Sequence, residues 1–379
     1  MKENIEKLIR QRAKALSEVG PMGSYSSNDC VFLLKNINGL LKEKDNLTRE
    51  KAMQNGTHYS EMLPIEYMPT KEYMNLYEMT LKESAEEIAY YTGVVGELIY
   101  KKKKENTILV SLARAGTPIG VLIKRYLKEK YDINVPHYSI SIIRDKGIDE
   151  NALFYILNRH PEGDIQFVDG WTGKGVIGKT LKEACRRFKE IYQIQLDDTL
   201  AVLCDPGRCT SLYGTREDFL VPSACLNATV SGLVSRTFLR TDLIAEHDFH
   251  GAKYYKEWEN IDKSNDFVDT VSAYFKGLEI KEEDLLAKKQ QGDDLGESVE
   301  SIRAYFDIAS INRVKPGVGE TTRVLLRRIP WKVLVKDKNN RHLKHILLLA
   351  EDRGVPVEEY PNMCYSCCGL IKDMEKEKL

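Results

Sequence analysis

The sequence has no apolar run approaching the ~20 residues needed to cross a bilayer. It also has almost no excess of either charge: 56 Lys and Arg stand against 57 Asp and Glu, a net charge of −1. The first absence excludes a helical membrane span, and the second excludes bulk attraction to nucleic acid or an anionic surface. Histidine is scarce at seven residues, so imidazole chemistry has few candidates. The opening "MKENIEKLIRQRAKALSEVG" lacks the apolar core of a signal peptide, and a cytoplasmic location is expected. Eight cysteines are scattered along the chain and read as thiols in a reducing compartment rather than a disulfide framework. "CYSCC" (Cys364, Cys367, Cys368) offers one C-x-x-C spacing without the second pair of ligands that structural zinc requires. No metal site is expected there; thiols on a final strand are.

What is present is a change of rhythm. Residues 1–104 read mainly as helix, with apolar positions at i, i+3, i+4 and i+7 in "CVFLLKNINGLL" (Cys30 to Leu41) and "TLKESAEEIAYYTGVVGELIYKKK" (Thr80 to Lys103). Between them "GTHYSEMLPIEYMPTKEY" reads as irregular. Residues 105–280 then alternate short β-branched runs ("TILVSL", "HYSISII", "IQFVDG", "TLAVLCD", "FLVPSACL") with amphipathic helices ("PIGVLIKRYLKEKY", "GKTLKEACRRFKEIY"). That alternation predicts an α/β domain with a mostly parallel sheet. The charged stretch within 281–310 reads as a linker or exposed helix. Residues 311–379 form a small α/β module, with "TTRVLLRRIPWKVLV", "HLKHILLLAEDRG" and "VPVEEY" as strand, helix and strand.

Two phosphate-loop patterns overlap in "DIQFVDGWTGKGVIGKT" (Asp164 to Thr180). The G-x-x-x-x-G-K-T reading from Gly173 to Thr180 starts four residues beyond its strand and puts Val176 and Ile177 where an open, left-handed backbone is needed. Those residues continue a helical face instead, so Gly178-Lys179-Thr180 reads as helix. The other reading sets Asp169 at the carboxyl edge of the sheet. It makes Thr172, Gly173, Lys174 and Gly175 a tight turn feeding a helix start, a natural anion site. A second strand-loop-helix, "ILVSLARAGTPIGVLIK", places Ser111, Ala113, Arg114, Ala115, Gly116 and Thr117 where small residues and donors suit a pyrophosphate.

"SLARAGTPIG" and "FVDGWTGKG" together resemble the pyrophosphate and phosphoribosyl loops of type I phosphoribosyltransferases, with "SIIRDKGIDE" (Ser141 to Glu150) in the place of a mobile catalytic loop. With "HYSEMLPIEY", "GTREDFLVPSACLNATVSGLVSRT", "FHGAKYY" and "GVGETTRVLLRR", nearly the whole chain resembles the phosphoribosyltransferase-like proteins of tellurite-resistance and stress operons. In that family, also named for the StiP cysteine protease, a Pelota-like RNA-binding domain follows the transferase-like one. The resemblance implies phosphoribosyl or glycosyl transfer on a phosphorylated ribosyl or nucleotide-like molecule, with Mg2+ as the associated cofactor. Asp169 would contact the ribose, Arg144 and Lys146 would neutralise the leaving group, and Asp205, Arg208, Ser223 and Asn227 would line the base-side pocket. Arg216, Asp218, Ser231 and Arg236 belong to the same polar stretch. The usual motif has two adjacent acids; here Gly170 follows Asp169.

Two further readings stay open beside the transferase. A cysteine protease would use Cys225 or Cys209, with Cys30 a third thiol and His58, His137, His160 or His250 as base. A non-catalytic nucleotide or RNA sensor would keep only the pocket. From Ile311 to Leu349 ten basic residues face two acids, a local surplus of eight that marks an RNA-binding face. By the resemblance, Glu320 would read a base edge and Arg323, Arg327 and Arg328 would meet phosphates. A homo-oligomer is left open.

Overall fold

The computed structural model describes residues 2–66, 68–285 and 295–373. Its largest element other than the sheet is the helix Lys71–Lys103. The Thr70 side chain accepts from Tyr73 N at its start, Glu72 lies in its first turn and three lysines close its last, so both ends complement the helix dipole. Tyr73, Tyr77, Leu81, Ala85 and Ile88 are all at most 2 % exposed and turn one face of it into the core.

That core covers a six-stranded sheet in the order Val31–Phe32, His137–Ile140, Thr107–Leu112, Asp164–Trp171, Ala201–Cys204, Leu212–Thr215. Every pairing in it is parallel. All six residues of Thr107–Leu112 are buried, as a parallel strand covered on both faces must be. Helices Lys71–Lys103 and Gly116–Tyr131 pack on one side, and Glu150–Arg159 and Val176–Tyr192 on the other. The chain runs from Thr107–Leu112 outward to His137–Ile140, then returns past it to Asp164–Trp171. This reversal makes the carboxyl ends of those two neighbouring strands a switch point, the usual ligand position in open α/β sheets.

The second sheet holds Val314–Pro316, Cys367–Ile371, Pro330–Val335 and Val357–Glu359, mixed in direction. Its residues alternate cleanly: Val333, Val335 and Cys367 join the large core, while Leu334 and Cys368 join a separate cluster with Val299 and Ile302. One face of the carboxy-terminal module is therefore continuous with the interior of the large domain. Among the described residues no helix is long and apolar enough to cross a membrane.

The mostly parallel α/β sheet matches the sequence pattern, but three segments differ. Cys30–Leu41 is not a helix: it supplies the edge strand Val31–Phe32, registered on Tyr138 and Ser139, and the short strand Lys35–Asn36. Tertiary pairing overrode its helical periodicity. "FLVPSACL" forms no strand, because Pro222 cannot donate to a ladder; a 3₁₀ turn spans Pro222–Ala224 instead. "TTRVLLRR" is largely the helix Val318–Arg327, and the strand begins only at Pro330. Of the expected linker, residues 286–294 lie outside the described residues, as does Tyr67 at the end of "HYSEMLPIEY".

Gly116 shows how tightly the switch point is packed. A Cβ there would meet the Val168 carbonyl oxygen at 2.3 Å and the Asp169 Cα at 3.0 Å. The helix start thus rests on the strand backbone, and the glycine serves that approach. Gly116→Ala is expected to cost about 1–3 kcal/mol through overpacking, read as a melting temperature lower by several degrees. An unchanged melting temperature would remove this account of the glycine.

Candidate functional site

A cleft of about 620 Å³ opens at the switch point, between the large domain and the carboxy-terminal module. Both loops picked out by sequence reach it: Ala113, Arg114 and Ala115 from one, and Asp169 with Thr172 to Gly175 from the other. Arg144 lines it too, as do Glu320, Arg323, Arg327 and Arg328 from the module. Ser111, Gly116, Thr117, Lys146, Asp205, Arg208, Ser223 and Asn227 are not among the lining residues. Gly178-Lys179-Thr180 falls inside the helix Val176–Tyr192, where Thr180 Oγ1 donates to the Val176 carbonyl.

Inspection of each donor shows what the loops are used for. Ser111 Oγ pairs with His137 Nε2 at 2.7 Å, and Thr117 Oγ1 pairs with Ser139 Oγ at 2.7 Å; all four residues are buried. Lys174 Nζ donates to the carbonyls of Ile311 (2.7 Å) and Val314 (3.1 Å), so it ties the loop to the module. Burial lowers its pKa to about 8. Asp205 is fully buried, accepts from Thr172 Oγ1 and the Cys209 and Thr210 amides, and is ion-paired with Arg216. Arg114 binds Glu66 (2.9 Å), the Val234 carbonyl and Asn227. Lys146 pairs with Glu61 and Arg144 with Asp145. Ser223 is buried with its hydroxyl lacking a partner, and Arg208 sits in the loop after Asp205 with a positive φ of 47°.

Asp169 is the acid at the cleft floor. Burial raises its pKa to about 6, against the Gly170 amide it accepts from at 2.8 Å and the Arg323 charge; Glu320 adds to the rise. A Cβ on Gly170 would lie 3.1 Å from the Ala115 carbonyl oxygen, a tight approach for any side chain. For a magnesium ion this corner offers one carboxylate without an ion pair. Among the described residues no group of three or more His, Cys, Asp or Glu is placed to hold a metal.

The thiols divide by exposure. Cys30 and Cys225 are buried, and desolvation raises both, Cys225 to about 12. Cys209 is partly exposed, its sulfur donates to the Gly207 carbonyl at 3.0 Å, and it lies 2.9 Å from where a Cβ on Gly175 would stand. It therefore backs the loop that lines the cleft. The four histidines each hold a hydroxyl: His58 on Ser60, His137 on Ser111, His160 on Tyr138 and His250 on Ser141. No hydrogen bond among the described residues joins a cysteine to a histidine.

Sequence reasoning missed Arg49, Tyr59 and Glu66. Arg49 and Glu50 are buried from a polar nine-residue helix, Asn46–Gln54, capped by Asp45, whose composition gives no hint of an inward face.

A mixed α/β chain with a cationic interdomain cleft and a thiol behind its wall is the class these observations define. The family model described as "Tellurite-like stress resistance cysteine protease StiP" matches residues 23–272, and that of the "PELOTA RNA binding domain" matches residues 295–373. A protein named "Cysteine protease StiP" from Acinetobacter baylyi is 32 % identical over 351 residues, covering 89 % of this chain and 90 % of the relative. The chain belongs to the StiP family of tellurite-like stress resistance cysteine proteases and carries a Pelota domain. This corrects the expectation of a phosphoribosyl- or glycosyltransferase: family and relative point to a cysteine protease, the alternative weighed beside it. The internal commitments of Ser111, Thr117, Lys174 and Asp205 give the physical reason why loops of that outline mislead.

Because burial holds the folded pKa of Asp169 above its ordinary 3.8, the folded chain keeps an extra proton between about pH 4 and 6 and loses stability as pH rises through that window. Asp169→Asn removes the ionisation. Its melting temperature is expected to exceed the wild type's by a few degrees at pH 7.5, by less at pH 5, and to converge with it below about pH 4. A gap independent of pH would refute the assignment.

Proposed function

We propose that the chain is a cysteine-dependent peptidase with Cys209, behind the wall of the interdomain cleft, as its nucleophile. The observation that carries this is the 32 % identity to a protein named as a cysteine protease, spread over 89 % of the chain. Geometry favours Cys209: six of the eight thiols are buried and Cys364 is exposed, whereas Cys209 is partly exposed and packs against Gly175, the residue capping the start of helix Val176–Tyr192. Burial raises its pKa, while the Thr172 hydroxyl and the charges of Lys179 and Lys182 pull it down. A thiolate there also gains from the helix's amino-terminal dipole. The thiolate attacks the peptide carbonyl, the amine leaves with a proton, and water then cleaves the thioester. His58 lines the cleft in front of that wall, and burial with the neighbouring Lys146 and Arg144 charges lowers its pKa. A neutral imidazole is the kind of group suited to accept a thiol proton.

The Pelota match supports RNA binding by the carboxy-terminal module. Its basic residues divide: Arg323, Arg327 and Arg328 face the cleft, while Lys336, Lys338, Arg341 and Lys344 are exposed. The exposed set is the part of the surplus open to a phosphate backbone.

Peptide hydrolysis and iodoacetamide labelling by the full chain test the nucleophile. Cys209→Ser is expected to reduce cleavage at least about a hundredfold and to remove the rapidly alkylated thiol, with Cys225→Ser and Cys364→Ser near wild type. Full activity in Cys209→Ser would overturn the assignment.

A further inference from the structure

The floor of the cleft is more strongly charged than thiol chemistry requires. Five guanidiniums meet there: Arg49, Arg114, Arg236, Arg327 and Arg328, drawn from four distant parts of the chain. Two carboxylates oppose them. Glu66 holds Arg114 at 2.9 Å, and Glu50 holds Arg328 through two bonds of 2.7 and 3.0 Å. That leaves a surplus of three positive charges.

The remaining three guanidiniums have no ion pair among the described residues. Arg49 is 1 % exposed, and its Nε and Nη1 have no hydrogen-bond partner. Arg327 Nε likewise has none. Arg236 stacks over the Tyr59 ring at 4.4 Å. Burial lowers the pKa of all three, and each feels its neighbours as well: Arg328 acts on Arg49, Arg49 and Arg114 on Arg236, and Arg114 and Arg236 on Arg327. Glu66, with one carboxylate oxygen unpaired, and Glu50 are acids that face this group. Buried donors without acceptors cost free energy, and a charge without a counter-charge costs more. A fold retains such an arrangement where something outside the chain completes it.

We propose that Arg49, Arg236 and Arg327 form a binding site for a terminal phosphate monoester, with Arg114 and Arg328 as its paired flanks. Planar guanidinium forks suit phosphate oxygens in pairs. A monoester carries close to two negative charges near neutral pH, whereas a phosphodiester carries one, so the monoester matches the surplus better. A cleft of about 620 Å³ has room for a nucleotide-sized group behind that phosphate. The same chemistry is presented by a free mononucleotide and by the 5′ end of an RNA. The site is independent of Cys209, and its test reads binding rather than hydrolysis.

The full chain is titrated by thermal shift and calorimetry with AMP against adenosine, and with a 5′-phosphorylated against a 5′-hydroxyl RNA oligonucleotide. Stabilisation that requires the terminal phosphate supports the site, and whichever phosphorylated probe binds identifies the source. Arg49→Met and Arg236→Met supply the control. In the absence of ligand each is expected to raise the melting temperature, since a buried, uncompensated charge is removed. Each is also expected to weaken phosphate-dependent binding at least tenfold. Equal shifts with phosphorylated and unphosphorylated probes, or no shift with any, would overturn the proposal. So would variants that melt lower than wild type while binding unchanged, because the arginines would then be structural. Arg327→Gln serves the same comparison from the module's side if either methionine variant fails to fold.

Discussion

The contact on which the site depends is the seat of the carboxy-terminal module on Asp218. Its carboxylate accepts from the Val318 amide at 2.9 Å and the Ser366 amide at 2.8 Å, while its own carbonyl accepts from Ser366 Oγ at 2.8 Å. One residue of the large domain thus satisfies a helix start and a loop of the module together. Burial raises the Asp218 pKa to about 6, yet the amide donors favour the ionised form. Trp171 completes the seat. Its ring occupies the space a side chain at Gly319 would need, and Arg323 lies over it at 4.7 Å. The cleft exists because these contacts hold the helix Val318–Arg327 across the switch point, where its Glu320, Arg323 and Arg327 become a wall.

The electrostatics of that wall follow from the docking. In an isolated module, the basic face of Val318–Arg327 would look outward to solvent. Here it is turned toward Arg49, Arg114 and Arg236 of the large domain. Like charges are brought together in a region of low dielectric, where repulsion is felt most strongly. The Arg328–Glu50 bond offsets part of this across the seam, and the continuous apolar core through Val333, Val335 and Leu343 supplies the rest. Hydrophobic burial, which has no preference for charge, therefore holds a charge distribution that Coulomb forces alone would disperse.

Much of this was legible in the sequence. Strand-helix alternation gave the parallel sheet, because period-two and period-3.6 patterns are local and strong. The two loops were found because short chains of small residues after β-branched runs have few other uses, and both do border one cleft. What could not be read was what each donor binds. Lys174 reaches Ile311 and Val314, 137 and 140 residues away, and no local pattern encodes such a partner. Arg49 is hidden for the same reason: its burial is imposed by elements far along the chain. The helix over Cys30–Leu41 failed where an edge pairing with His137–Ile140 outweighed periodicity.

The correction of function has the same origin. A strand, a tight turn and a helix start provide oriented amides whatever the chain later does with them. In this protein the turn from Thr172 to Gly175 is used from both sides. Cys209 packs behind Gly175, and Lys174 in front holds the module. Gly170 belongs to the same economy of space, since a Cβ there would make a tight approach to the Ala115 carbonyl oxygen. The loop's outline is therefore shared with phosphate-binding turns while its side chains are committed to assembling two domains. The groups left uncommitted lie deeper, in guanidiniums that no local motif announces. Those groups, rather than the glycine turn, give the cleft its capacity for an anion.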